Sequence, residues 1–341
     1  MINIGIIGCG KIARVCHIPE YENNKNARLF GFYNRTVSTA EALAEKYGAK
    51  VYPTVDDMLS DPEIDAVSIC TPHTLHAPLT VKALEAGKHV LCEKPMATSY
   101  EQCEKMVAAA KRSGKKLMIC QTLRLAPAYL KATEIYRSGA IGELLTFSAS
   151  LAHSGPENWS PGSSDSWFFD KNSANVGVIG DLGVHLIDYI LFLTGQKAAG
   201  VFSKLETLEK RGADGSFIGV DDNAVSVLKL SGGAVGNINV SWTNHGAGES
   251  GVNLFGSKGV IKIYPQKLIL EMPDKTTQVF DFEPTANTGV IDDFIESVNG
   301  EASSRLSGES VLEAMKTVFA CVKSNQMKKW VEIPADKSEG A

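Results

Sequence analysis

The segment Gly8-Cys9-Gly10-Lys11-Ile12-Ala13 follows directly on the apolar run Asn3–Ile7 and opens a helical pattern. No other feature of the chain constrains its fold as strongly. The pattern is GxGxxA. Gly8 permits a tight turn, Gly10 lets the backbone approach a pyrophosphate, and Ala13 lets helix and strand pack closely. Lys11 and Ile12 begin the helix, whose first turn offers unpaired N–H groups to phosphate. A lone glycine triplet is weak evidence, but the strand–turn–helix context is the one this fingerprint requires.

The same alternation continues to residue 122. Strand-like runs at Arg28–Tyr33, Ala66–Cys70, His89–Cys92 and Leu117–Gln121 are separated by helical patterns at Thr39–Tyr47, Ala77–Glu85 and Ser99–Ser113. This reads as an α/β domain, a doubly wound parallel sheet of Rossmann type over residues 1–122. The character changes near Arg124. A helix at Ala128–Arg137 and a strand at Leu144–Leu151 lead into a long irregular stretch, Ala152–Val178, which carries Trp159, Trp167, Phe168 and Phe169. A loop of that length is uncommon unless functional or disordered, and its aromatics favour order. A helix at Val184–Leu193 follows, then strand-like runs from Val201 to Phe282, then helices near Val290–Val298 and Glu309–Ser324. Strands in direct succession imply a mostly antiparallel sheet. Residues 123–335 are therefore read as a second α/β domain, for substrate binding and oligomerisation.

A length of 341 residues suits two domains. The net charge of −5 gives no reason to expect nucleic acid or an anionic membrane as partner, so small-molecule chemistry is the better expectation. No run of about 18 apolar residues is seen, and the N-terminus lacks a signal-peptide pattern. The seven cysteines are scattered and form no CxxC pair. Reduced thiols and a cytoplasmic location are expected. No HExxH or Cys/His cluster is present, so no metal is expected. His17, His89 and His245 read as surface or packing residues, while His153 begins the long loop and could reach a substrate.

An Asp or Glu usually ends strand two where the ribose 2′-hydroxyl of NAD is bound. Here the sequence is Tyr33-Asn34-Arg35-Thr36. Arg35 suits a 2′-phosphate or can stack on adenine, and it can also be an ordinary surface arginine. Nothing there repels NADP. NADP is favoured as cofactor, with NAD also open.

Glu93-Lys94-Pro95 completes a set of motifs. Together with Gly8–Ala13, with Thr71-Pro72 and His76, and with Gly180-Asp181-Leu182-Gly183-Val184-His185-Leu186-Ile187-Asp188, it resembles the Gfo/Idh/MocA family of glucose–fructose oxidoreductase and inositol dehydrogenase-like enzymes. Order and spacing match across nearly the whole chain. The resemblance implies a Rossmann domain followed by an α/β domain on a large open sheet, with a homodimer or homotetramer packing sheet on sheet. It implies that Lys94 lies near the nicotinamide ribose and the reacting oxygen, and that a cis peptide precedes Pro95. It also places Thr71, Pro72, His73, His76, Glu93, Arg124 and Trp167 around the cofactor. His73 departs from the family, where asparagine is frequent after Thr-Pro. Val225, Val227, Leu228, Val235, Ile238 and Val240 are candidates for the apolar face of the open sheet.

Oxidising a secondary alcohol needs a base for the hydroxyl proton, and histidine titrates near neutrality. Asp181 and His185 are four apart and share a face if helical. The positive end of the helix disfavours imidazolium and the Asp181 carboxylate favours it, so the direction of the shift stays open. Asp181 can also be a plain N-cap, His185 a core histidine and Asp188 its buried partner. With Lys94 in register, Lys94, Asp181 and His185 are read as catalytic. The expected activity is hydride transfer between NAD(P) and a sugar, inositol or polyol. A redox-neutral glycosidase or epimerase with retained cofactor, and a non-catalytic NAD(P) sensor, are the alternatives.

Overall fold

The computed structural model describes residues 1–160, 162–246, 250–301 and 304–334. Pro161, within the long segment, and Ala335, at the end of the expected second domain, lie outside the described residues. The first sheet comprises β1 (Ile2–Ile7), β2 (Ala27–Tyr33), β3 (Lys50–Val51), β4 (Ala66–Ile69), β5 (His89–Cys92) and β6 (Leu117–Ile119). Its order is β3-β2-β1-β4-β5-β6, with every pairing parallel. Residues in β4 and β6 are buried throughout, as expected of strands covered by helices on both faces. The order reverses between β1 and β4, where a doubly wound sheet opens its ligand crevice. Ser99 caps the helix Tyr100–Ser113, which ends on Gly114 in the left-handed conformation. The two-residue β3 and the six-residue helix Val55–Ser60 are too short to announce themselves by periodicity.

The second sheet comprises β7 (Leu144–Ala152), β8 (Ala198–Glu206), β9 (Asn223–Leu230), β10 (Val235–Ser241), β11 (Gly251–Gly256), β12 (Val260–Tyr264), β13 (Lys267–Glu271), β14 (Thr277–Asp281) and β15 (Val331–Glu332). Its order is β14-β13-β12-β11-β7-β10-β9-β8-β15. All neighbours are antiparallel except β7 and β10, which run parallel. Burial alternates along β9 and β10, and this corrects the expected apolar face. Leu228, Ile238 and Val240 point into the core, whereas Val225, Val227 and Val235 point outward. A period of two assigns neighbouring residues to opposite faces, so no single face holds all of them.

The stretch Lys171–Thr194 is apolar enough to pass for a membrane span, with a mean hydropathy of 1.7, a pattern the sequence reading did not mark. Most of it is buried among the protein's own side chains, and it comprises a short helix Lys171–Ala174, a π turn Ile179–Gly183 and the core helix Val184–Thr194 behind the second sheet. The helix Val290–Asn299 was assigned by sequence order to the second domain, but it packs on the first. Val290, Ile291, Phe294 and Ile295 share a core with Ile4, Ile6, Leu91 and Met118. Thr288 bonds Glu20, and Asn24 bonds Asp292, so the chain returns to the Rossmann domain after completing the second sheet.

Candidate active site

The glycine turn after β1 is shaped for a dinucleotide. Gly8 has φ +95°, and a Cβ there would lie 2.5 Å from the Cys70 carbonyl oxygen, so only glycine fits. A Cβ on Gly10 would meet nothing within 4 Å, which leaves this backbone open to a close-packed phosphate. A continuous helix, residues 11–23, begins here, with a π turn at Ala13–His17. Asn34 Oδ1 accepts from Cys9 N–H at 3.0 Å, and Asn34 Nδ2 donates to the Thr36 carbonyl, so Asn34 ties the end of β2 to the glycine turn. Arg35 and Thr36 are exposed beside it. These residues fit the adenosine and pyrophosphate of a nicotinamide cofactor.

The Lys94–Pro95 bond is cis. Lys94 Nζ donates to Asp181 Oδ1 at 2.6 Å and to the Asp181 carbonyl at 3.0 Å. Asp181 sits in a second π turn, Ile179–Gly183, immediately before the helix Val184–Thr194. Its other oxygen, Oδ2, accepts from Trp242 Nε1–H at 3.0 Å and lies 3.7 Å from His153 Nε2. Burial alone would raise this carboxyl's pKa, but the Lys94 charge and the His153 contact outweigh it and hold Asp181 ionised.

His185 is half-buried, and its Nδ1 has no hydrogen-bond partner among the described residues. Its pKa is lowered to about 3, first by burial and then by the Lys94 charge, against the pull of Asp181. Burial and the Lys94 charge, neither of them weighed in the sequence, favour the neutral imidazole against the pull of Asp181. Asp188 is not its partner. That carboxylate takes Arg124 Nε at 2.7 Å and Nη2 at 2.5 Å.

Arg124 was placed at the cofactor by resemblance, but the structure commits it elsewhere. It is 2% exposed, and its remaining N–H groups reach the Arg305 carbonyl, the Ser310 hydroxyl and the Ser310 carbonyl. All five guanidinium donors are thereby used within the protein. Thr71, Pro72, His73 and His76 cluster after β4. The His76 ring nitrogens lie 2.8 Å from the Pro95 carbonyl and 2.9 Å from that of Thr71, and a neutral ring donates to one of them. His73 is buried against the Ala174 carbonyl and meets the edge of Trp167 at 4.8 Å between ring centroids. Trp167 stacks on Phe168, and Phe168 meets Trp159, whose ring lies 5.7 Å from Lys11 Nζ. Trp159, Trp167 and Phe168 of the long segment therefore form an aromatic wall that reaches the glycine turn through Lys11.

Sequence reasoning missed His17 and Trp242. Of the surface and packing readings open for His17, the structure takes the second, since the side chain is buried, but its partners lay beyond the sequence. Its Nε2 lies 2.9 Å from Glu93 Oε1, its Nδ1 lies 3.2 Å from Ser68 Oγ, and Glu93 Oε2 accepts from Lys94 N–H at 3.2 Å. The His17 contact and the nearby positive charge of Lys94 bring the Glu93 pKa down to about 2 despite burial, which opposes them. The i, i+4 spacing of Ala13 and His17 on an inward helix face was the available signal. His17, Glu93 and Cys120 place one potential ligand atom each within 4.8 Å of one another, but the His17–Glu93 hydrogen bond accounts for the closest pair. Burial pushes the Cys120 thiol pKa well up, which keeps it protonated. Trp242 follows β10 with no motif to mark it.

Comparison with known proteins bears on the family and the fold. Residues 2–121 match the model described as an oxidoreductase family with an NAD-binding Rossmann fold, and residues 129–262 match the GFO/IDH/MocA C-terminal domain. Levoglucosan dehydrogenase of Pseudarthrobacter phenanthrenivorans is 33% identical over 239 residues, covering 64% of this chain and 56% of that protein. D-glucoside 3-dehydrogenase of Escherichia coli is 31% identical over 245 residues, covering 69% of this chain and 68% of that one. A levoglucosan dehydrogenase solved with NADH and levoglucosan shares the fold at a TM-score of 0.87. It is 24% identical, with 98% of this chain and 100% of that one covered.

Proposed function

The chain belongs to the GFO/IDH/MocA oxidoreductase family, and we propose that it transfers hydride between a nicotinamide cofactor and a secondary alcohol or ketone of a sugar, inositol or sugar derivative. The observation that carries this reading is the Lys94–Asp181 pair beside a neutral His185, at the strand ends that the glycine turn also lines. The aromatic wall of Trp159, Trp167 and Phe168 suits the C–H faces of a sugar ring. The relatives named levoglucosan dehydrogenase and D-glucoside 3-dehydrogenase support the same substrate class.

Gly8–Ala13, Asn34, Arg35, Thr36, the Thr71–His76 turn and Glu93 would hold the cofactor. When bound, its nicotinamide supplies the hydride acceptor for the alcohol carbon. Lys94 spends two N–H donors on Asp181 and has a third for the substrate oxygen, where it stabilises developing alkoxide character. Neutral His185 takes the hydroxyl proton, and the nearby Asp181 carboxylate favours the imidazolium that results. In the reverse direction His185 returns that proton. Asp181, gripped by Lys94 and Trp242, keeps the ammonium in place.

NADP is the favoured cofactor, because no acid at the end of β2 repels a 2′-phosphate. Phe202, Val225, Val227 and Val235 are exposed on β8, β9 and β10, which supports a homodimer or homotetramer packed through this sheet. Seven free cysteines support a cytoplasmic location. Inositols, aldoses, anhydro-sugars and glycosides assayed with NAD and NADP test the activity. Accumulation of reduced cofactor with at least one of them is expected. Turnover without net reduced cofactor would instead identify a redox-neutral enzyme.

A further inference from the structure

We propose that Gln121 binds the carboxamide of the nicotinamide ring, a proposal that rests on the cofactor reading above. Gln121 follows β6 and stands beside the Glu93–Lys94 turn, because Cys120 N–H bonds the Cys92 carbonyl. Its backbone is satisfied, with its N–H on the Ile119 carbonyl and its own carbonyl accepting from Arg124 N–H. Its side chain is not. Gln121 is 1% exposed, and neither its amide oxygen nor its amide nitrogen has a hydrogen-bond partner among the described residues.

A buried amide with both functions unmade is costly, and native structures rarely keep one without a use. The contrast with Arg124, three residues on, is direct, since every donor of that arginine is consumed. Thr71 Oγ1 after β4 and His185 Nδ1 are also buried and unpaired, as are Thr80 Oγ1 in the helix His76–Glu85 and Glu157 Oε2 in the long segment, but Gln121 is the one side chain among them with both a donor and an acceptor unmet.

Position selects the ligand. The glycine turn follows β1, and Asn34–Thr36 follow β2 on one side of it. The nicotinamide half must then extend the other way, over β4, β5 and β6. Three strand spacings separate β1 from β6, about 14 Å at ~4.8 Å each. An amide matches a carboxamide donor to acceptor and acceptor to donor. Gln121 breaks no existing side-chain hydrogen bond when it turns to meet the ligand.

The test compares NADH with ADP-ribose, which lacks the nicotinamide, by calorimetric titration of wild type, Gln121→Leu and Gln121→Asn. NADPH and 2′-phospho-ADP-ribose replace them if the phosphorylated cofactor binds tighter. Gln121→Leu should weaken NADH by about tenfold or more and ADP-ribose by less than about twofold. Gln121→Asn should recover part of the loss. The 3-acetylpyridine analogue, which lacks the amide N–H donors, should be weakened less than NADH by Gln121→Leu. Equal losses for NADH and ADP-ribose would overturn the proposal in favour of a structural role. Unchanged NADH binding with a raised sugar KM would overturn it in favour of a substrate contact. A wild-type chain that bound neither nucleotide would overturn the cofactor reading itself, a result distinct from both.

Discussion

Lys94 Nζ lies 2.6 Å from Asp181 Oδ1, joining the turn after β5 to the π turn that leads into the core helix. The pair joins the two sheets' domains at the proposed reaction site and places a cation near a histidine that burial already favours as neutral. Lys94→Ala and His185→Ala should each lower kcat by roughly 10²-fold, since each removes a group acting on the substrate oxygen or its proton. The dissociation constant for the cofactor should change little in His185→Ala. Near-normal turnover in that variant at all pH values would make His185 a packing residue.

Arg124 is expected to matter for stability and not for cofactor binding. Arg124→Met leaves the buried Asp188 carboxylate without its bidentate partner, at a cost of about 3–5 kcal/mol. Urea unfolding should show this loss, while protein that remains folded keeps its affinity for NADH. A selective loss of cofactor affinity at unchanged stability would return Arg124 to the cofactor site.

Cofactor preference should turn on the exposed end of β2. A charge-assisted contact from Arg35 to a 2′-phosphate is worth about 1.5–3 kcal/mol, or roughly ten- to a hundredfold in affinity. Arg35→Ala should therefore weaken NADP much more than NAD. Asn34→Asp retains an acceptor for Cys9 N–H while adding a charge that repels phosphate, and should move preference towards NAD. Equal losses for both cofactors in Arg35→Ala would show that the arginine only stacks on adenine.

Stability should fall as the solution is acidified below neutrality, before the carboxylates titrate. Burial lowers the His73 pKa to about 3, whereas the unfolded chain takes up that proton near 6.5. The unfolded state thus binds more protons between these values, and the contribution of His73 is lost progressively as pH falls below 6.5. From pH 6.5 to 4.5 this is roughly 2–3 kcal/mol. His73→Asn should flatten that part of a plot of Tm against pH, and an unchanged slope would count against it.

The cofactor half was legible because its signals are local. GxGxxA in a strand–turn–helix unit states its own geometry, and the order of apolar runs yields a parallel sheet with its crevice at the β1/β4 reversal. Spacing likewise put Asp181 and His185 on one helical segment. Lys94 is 87 residues from Asp181, and it was nominated by family resemblance, not by spacing.

Tertiary structure decided which of those groups meet. Asp181 turned to Lys94 and Trp242, Asp188 to Arg124, and His17 to Glu93, because burial forces each charge to find a partner and the nearest partner lies far away in sequence. Helix Val290–Asn299 joined the first domain for a similar reason, since its apolar face packs on the side of the parallel sheet that Ile18, Tyr21, Ala40 and Ala44 also cover. Residue types and periods specify strands, turns and candidate donors along the chain. Pairing across it depends on three-dimensional proximity and desolvation, which no local pattern encodes.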